Sequence, residues 1–300
     1  MPTIMRSNLI VPSNVQRYVE KAARLAPDTI VLDLEDSVPE HEKENARKGI
    51  EQALSTIKVS GTPVMVRINN HPEHLASDLD AVVAAGLSGI LFPKAESAEQ
   101  VIRISDQLAR LEIERGLQPG QVGISLEVES PKGLLNLEEI ATASSRIISV
   151  DIGVEDYCLA LGVSPSREAT ELLYPLSRII TICKAYSIKP LGLLGSLAEF
   201  KDIERFEKSA CASRQLGCEG SFCIHPDQIP VLNRVFSPDP EKVDWARRVV
   251  EAFEKSLKEG RASTSLDGRM VDEPVYRRAK YFLSRAEELA LFEKGKIQER

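Results

Sequence analysis

The feature of this sequence that most restricts its fold is a rhythm: eight short, almost continuously apolar runs alternate with longer amphipathic stretches up to about residue 225. The runs are Asn8 to Val11, Thr29 to Leu34, Val64 to Ile68, Gly89 to Phe92, Val122 to Val128, Ile147 to Ile152, Pro190 to Leu194 and Gly220 to Ile224. Strands that are apolar at nearly every position are buried on both faces, the condition of a parallel sheet with helical crossovers. The segments between them supply those helices: Val15 to Leu25, Glu40 to Thr56, Leu75 to Ala85, Ala98 to Arg115, Asn136 to Ala143, Leu173 to Tyr186 and Lys201 to Leu216. In one of them Val101, Ile104, Leu108 and Leu111 recur at steps of three and four and share one helical face. An open doubly wound sheet would need a glycine-rich turn after its first strand, and Val11-Pro12-Ser13-Asn14-Val15 has none. The expectation is a closed (β/α)8 TIM barrel over residues 1–236.

Beyond it the texture changes. Phe236-Ser237-Pro238-Asp239-Pro240 opens a long charged helix to about Glu259, Gly260 to Glu273 is polar, and Pro274 starts another helix. Residues 237–300 are expected to form a C-terminal helical extension. A net charge of −7 disfavours sequence-independent attraction to a phosphate backbone, so nucleic acid is not an expected partner. No segment approaches the roughly 18 uninterrupted apolar residues of a membrane span. The start, Met1-Pro2-Thr3-Ile4-Met5-Arg6, reads as no secretion signal, and five cysteines without a CxxC pair read as reduced core thiols. Both point to the cytoplasm.

In a barrel of this kind functional groups gather at the C-terminal ends of the strands, and here those ends are acidic. They carry Asp33, Glu35 and Asp36 after the second run, Arg67 and Asn69 at the third, and Lys94 and Glu96 at the fourth. The fifth adds Glu127 and Glu129, and the sixth Asp151, Glu155 and Asp156. Residues two apart share a strand face, so Glu127 and Glu129 point the same way, with Glu127 one layer deeper and Arg67 or Lys94 as its partner. Carboxylates converging on one mouth repel unless a cation neutralises them. An all-oxygen donor set suits hard Mg²⁺ or Mn²⁺ better than Zn²⁺, and magnesium uses one or two carboxylates while leaving positions for water and substrate.

Several segments together carry a resemblance: Arg6-Ser7-Asn8-Leu9-Ile10-Val11-Pro12, Ile30-Val31-Leu32-Asp33-Leu34-Glu35-Asp36-Ser37, Val128-Glu129-Ser130-Pro131-Lys132-Gly133 and Gly153-Val154-Glu155-Asp156-Tyr157, with Ile224-His225-Pro226-Asp227-Gln228-Ile229 and Asp267-Gly268-Arg269-Met270-Val271-Asp272-Glu273-Pro274-Val275. Over about residues 5 to 290 the chain resembles the citrate lyase β-subunit family, within the wider aldolase and malyl-CoA lyase superfamily. The resemblance implies a Mg²⁺-dependent carbon–carbon lyase that cleaves a 3-hydroxy-carboxyacyl thioester such as malyl-CoA or citramalyl-CoA to acetyl-CoA and a 2-keto acid. It implies Glu129 and Asp156 as metal ligands, Arg67 on substrate oxygens, and Glu35 and Asp36 holding water on the metal and orienting Arg67. Arg6 and Lys94 are its candidates for coenzyme A phosphate contacts. Asp272 would enter the active site of a neighbouring subunit, which makes the protein a homo-oligomer, a trimer or hexamer. Two variants stay open: a citrate lyase β subunit acting on a citryl acyl carrier protein, and a catalytically silent ligand-binding paralogue. Many relatives carry an aspartate near the start of the seventh strand, where this chain reads Lys189-Pro190-Leu191-Gly192-Leu193-Leu194-Gly195-Ser196, implying an altered acyl pocket.

The same residues have plainer readings. Asp36 or Ser37 could cap the following helix, Arg67 could be an ion-pair partner for Glu127, His225 could be a packed side chain before a helix, and Asp272 could cap the helix that Pro274 starts.

Overall fold

The eight apolar runs form eight parallel strands: β1 (Ser7–Pro12), β2 (Thr29–Asp33), β3 (Val64–Arg67), β4 (Leu87–Phe92), β5 (Gly123–Val128), β6 (Ile147–Ile152), β7 (Lys189–Pro190) and β8 (Ser221–Cys223). The structure, a computed structural model, describes residues 4–298; Met1 to Thr3, within the start read above as no secretion signal, lie outside it, as do Glu299 and Arg300. Strands β1 to β7 pair in sequence order, β8 pairs with β1, and a parallel bridge from Leu191 to Gly220 joins the last two and closes the barrel. Closure depends on glycine: a Cβ on Gly220 would stand 1.9 Å from the Met5 carbonyl oxygen. Strand β7 is shorter than its apolar run because Pro190 has no N–H to give the ladder, and the chain leaves the sheet after the bridge at Leu191.

Strand parity sorts the core into two. Met5, Val31, Met65, Leu91, Leu191 and Phe222 fill the barrel interior. The alternate residues, among them Ile30, Leu32, Val66, Ile90 and Leu126, pack outward against the helices. The crossovers are α1 (Gln16–Arg24), α2 (Lys43–Lys58), α3 (Pro72–Val82), α4 (Ala98–Glu114), α5 (Pro131–Leu135), α6 (Leu137–Thr142), α7 (Val154–Leu161), α8 (Thr170–Ala185), α9 (Ile203–Leu216) and α10 (Gln228–Val235). The segment read as a helix from Asn136 to Ala143 is α6, and a further short helix, α5, precedes it because Ser130-Pro131 starts a turn there. Helix α7 follows β6 so closely that its apolar pattern merges with the strand signal.

At the opposite end of the barrel from the strand C-termini, Arg146 clasps fully buried Glu112 with Nη2 2.7 Å from Oε2 and Nη1 2.9 Å from Oε1. Glu112 also accepts the amides of Gly120 and Val122, so all of its charge is answered inside the protein.

The chain divides into two compact units after Phe236. The second contains α11 (Pro240–Lys258), an antiparallel hairpin of β9 (Thr264–Leu266) and β10 (Arg269–Val271), and α12 (Glu273–Gln298). Asp267 and Gly268 both take positive φ, the backbone a two-residue hairpin turn requires, so the polar stretch from Gly260 to Glu273 contains a regular hairpin. Ala246, Val249, Phe253, Val271 and Ala279 make this unit's own core. Among the described residues no helix is long and apolar enough to cross a membrane.

Candidate functional site

Parity also decides what reaches the barrel mouth. Val31 and Met65 face the interior, so Asp33 and Arg67, two residues on, face it one layer nearer the strand C-termini. Arg67 donates from Nε to Asp33 Oδ1 at 2.7 Å and from Nη2 to Asp33 Oδ2 at 2.6 Å, a bidentate pair. Burial opposes the charge on Asp33, but Arg67, the Ser37 hydroxyl and the Glu35 amide outweigh it and hold the carboxyl below its usual range. The remaining guanidinium nitrogen, Nη1, lies 3.3 Å from Glu35 Oε2 and 3.8 Å from Glu127 Oε2. Those two oxygens are buried and accept no hydrogen bond within the protein. Burial pushes both carboxyls up in spite of Arg67. Glu127 sits one layer below Glu129, as its sequence position predicts.

Glu129 stands where β5 stops. Ser130 caps α5 by accepting the Gly133 amide at 3.1 Å and Pro131 takes the first helical position, so the chain turns immediately after Glu129. The side chain is buried, its Oε1 accepts the Lys94 amide at 3.2 Å, and the Asp156 carboxyl is within hydrogen-bonding reach. Burial, then Glu127, then Asp156 push the Glu129 carboxyl well up. Its neighbour Gly153 has to be glycine, because a Cβ there would lie 2.5 Å from Glu129 Cγ. The expectation that Asp156 ends a strand is corrected: β6 ends at Ile152, and Asp156 projects from the first turn of α7.

Lys94 is the hub. Its Nζ is 2.8 Å from Glu35 Oε1 and 3.9 Å from both Asp36 Oδ1 and Asp156 Oδ2. These contacts make it the counter-cation of the acid cluster instead of the free phosphate anchor read from sequence. Its backbone has a φ of 52°, a strained value for a residue with a Cβ, and Asn70 Nδ2 holds it there by donating to the carbonyls of Pro93 and Lys94 at 3.1 and 2.9 Å.

One expected site residue stands elsewhere. Arg6 precedes β1 and therefore lies at the other end of the barrel, buried, with Nε and Nη2 on the two Asp28 oxygens at 2.8 and 2.9 Å. Asp272 belongs to the second unit, where its Oδ1 accepts the Val275 amide at 3.2 Å at the start of α12. His225 stacks on Phe200 with ring centroids 5.1 Å apart, in keeping with its packed reading. Sequence reasoning passed over Lys43 and Asn70. Lys43 offered a signal, since a cation in the first turn of a helix opposes the dipole and needs another reason to be there.

The donor set suits a hard divalent cation. Glu129 and Asp156 bring two carboxylates to one spot among like charges, with no histidine or cysteine beside them in that contact network. Among the described residues no group of three or more His, Cys, Asp or Glu has a metal-holding arrangement. A cleft of about 1020 Å³ leads from Glu35, Asp36 and Lys94 between α3 and α4, with Leu75, Ala76 and Ile104 along its apolar side. That volume admits an extended organic ligand.

An acid cluster with a braced arginine, at the C-terminal mouth of a closed barrel and beside an open cleft, defines the layout of a (β/α)8-barrel active site. The chain belongs to the HpcH/HpaI aldolase/citrate lyase family, whose model matches residues 6–226. It is 37% identical over 283 residues to the citrate lyase subunit beta of Escherichia coli K12, covering 94% of this chain and 93% of that one. It is 29% identical over 286 residues to the mitochondrial citramalyl-CoA lyase of Homo sapiens, covering 91% and 83%. Among solved structures, CitE from Mycobacterium tuberculosis in complex with magnesium, acetoacetate and coenzyme A superposes with a TM-score of 0.73 at 31% identity, covering 96% of this chain and 100% of that one.

Proposed function

We propose that this chain is a Mg²⁺-dependent carbon–carbon lyase of 3-hydroxy-carboxyacyl thioesters, releasing acetyl-CoA and a 2-keto acid from a substrate of the malyl-CoA or citramalyl-CoA type. The observation that carries the reading is the shared neighbourhood of Arg67, Lys94, Glu129 and Asp156 at one barrel mouth. Glu129 and Asp156 would hold the ion, Glu35 and Asp36 would hold its water, and the ion would supply Lewis-acid polarisation of the substrate's hydroxyl and carboxylate oxygens.

In the cleavage direction the hydroxyl proton would pass to the Asp272 carboxylate of a neighbouring copy, the C2–C3 bond breaks as the carbonyl forms, and the electron pair passes to the thioester as an enolate. Arg67 is fixed by Asp33 on two nitrogens, and the looser contacts of Nη1 leave it available to a substrate oxygen on which charge accumulates. Asp272 of a neighbouring copy would return a proton to the enolate carbon, so the active form would be a homo-oligomer. The long cleft supports an extended thioester arm.

Purified protein, Mg²⁺ and a panel of CoA thioesters test this by release of keto acid. Turnover of a free CoA ester is expected. The likeness to the citrate lyase subunit favours a second reading, in which the thioester is carried on an acyl carrier protein. Activity found only with such a carrier would replace the first reading by the second, and no Mg²⁺-dependent cleavage of either would refute both. Mixing Asp272→Ala with Glu129→Ala protein tests the shared site, because activity should return only if one site draws on two chains.

A further inference from the structure

A buried polar network lies just behind the acid cluster. Lys43 is buried, yet none of its contacts is a carboxylate: Nζ donates to the carbonyls of Leu34 and Glu35 at 3.0 Å each and to Asn69 Oδ1 at 2.7 Å. Its charge is spent on the backbone that carries Glu35. Asn69 adds a second tie to the same backbone, from Nδ2 to the Leu34 carbonyl at 2.8 Å. Asn69 is itself held by fully buried Asp78, whose Oδ2 accepts both its amide and its side chain at 2.7 Å.

The next residue does the same on the other side. Asn70 holds the Pro93 and Lys94 carbonyls and so keeps Lys94 at its positive φ. Two consecutive residues after β3 thus strap the loop after β2 and the loop after β4, and those loops meet through the 2.8 Å contact of Lys94 with Glu35. Both loops lie beyond the last paired residues of β2 and β4, where Leu34 N donates to the Arg67 carbonyl at 2.9 Å and Ala95 N to the Glu127 carbonyl at 3.3 Å, and past those two bonds the straps take over.

We propose that Lys43, Asn69 and Asn70 are positioning residues: they set the distance between the Glu35 and Lys94 loops and thereby the orientation of the Glu35 carboxylate on Arg67. None of the three is placed against the reacting atoms. The catalytic half of this inference rests on the lyase reading, whereas the structural half does not.

The test uses the full chain with Lys43→Met and Asn70→Ala, each measured by steady-state kinetics and by hydrogen–deuterium exchange of peptides spanning residues 34–42 and 93–97. Lys43→Met should speed exchange in the first peptide and Asn70→Ala in the second, with the rest of the barrel unchanged. A displacement of about 1 Å in this geometry is worth on the order of 10²-fold, so kcat should fall by up to that factor, and by more than KM changes, although all three residues also line the cleft given above to the thioester arm. Lys43→Arg, which keeps donors toward the same carbonyls, should recover part of the lost kcat. Unchanged exchange in both peptides would overturn the proposal, as would faster exchange with unchanged kcat. Faster exchange spread over the whole barrel would mark a general stability role and also overturn it. If the wild-type chain cleaves no thioester, the lyase reading fails and the exchange data alone decide whether the straps exist.

Discussion

Gly153→Ala is the substitution whose outcome the geometry fixes most tightly. Gly153 has φ −79° and ψ 94°, a backbone that alanine adopts freely, so no conformational penalty accompanies the change. The cost is steric. The new Cβ would stand 2.5 Å from Glu129 Cγ, 3.0 Å from its Cδ and 3.4 Å from Glu127 Cγ. Carbon atoms rest at about 3.5–4.0 Å, so the root of the Glu129 side chain has to retreat by about 1 Å. Rotation of the carboxylate cannot relieve this, because the clash begins at Cγ.

Overpacking of this size costs about 1–3 kcal/mol, which lowers Tm by roughly 2–4 °C per kcal/mol in a chain somewhat shorter than this. On the proposed role of Glu129 as a metal ligand, moving its carboxylate should weaken Mn²⁺ binding by roughly 10–100-fold, read by calorimetry or by the Mn²⁺ resonance signal, and should cut thioester cleavage to match. Wild-type Mn²⁺ affinity and turnover in folded Gly153→Ala protein would refute the reasoning. So would a Glu129→Gln protein that binds Mn²⁺ as well as wild type while Gly153→Ala does not, because the loss would then have another origin.

Gly49→Ala is the matching control: Gly49 lies inside α2 with nothing within 4 Å of the added methyl, so stability should rise by about 0.5–1 kcal/mol in denaturant melts with activity unchanged. Glu112→Gln leaves Arg146 buried without its counter-charge and should cost about 3–5 kcal/mol by the same melts. The Glu112 carboxyl is held low in the folded protein by Arg146 and the Gly120 and Val122 amides despite burial. Its contribution is therefore complete above the unfolded carboxylate value of about 4.3 and is lost as pH falls through the lower folded value; a wild-type stability curve that is flat in that acid range would contradict it. Arg67→Lys keeps the charge but loses the two-nitrogen grip on Asp33 and should reduce kcat/KM by roughly 10²–10³-fold, with a milder loss pointing to a purely structural arginine.

Much of this was legible in the sequence because strand parity is rigid. Once Val31 and Met65 are read as interior, Asp33 and Arg67 must follow, and Glu127 must lie under Glu129. What escaped was set by loops. The resemblance implies Arg6 as a phosphate contact at the mouth, but parallel strands have two ends and Arg6 is at the other one. Asp156 was assigned to a strand because α7 starts one residue after Gly153, too soon for a 3.6-residue period to separate itself from the strand pattern. Lys94 was read as a reaching cation, and only its positive φ, invisible in sequence, turns its chain back over Glu35. Lys43 and Asn70 act on carbonyl oxygens, which every residue has, so no partner residue type betrays them.

The two-residue strand β7 has a consequence for how the molecule comes apart. The circle is joined there by the pairs Ser149–Lys189 and Val150–Pro190 on one side and a single bridge on the other, against four to five paired residues along most other seams. Partial opening should therefore begin between β6 and β8, where Cys183, Cys218 and Cys223 are buried. Their burial raises all three thiols and keeps them inert while the seam is shut. The barrel thus carries its own clock: the rate at which these thiols take up a maleimide label should time the breathing of the one joint that holds the ring closed.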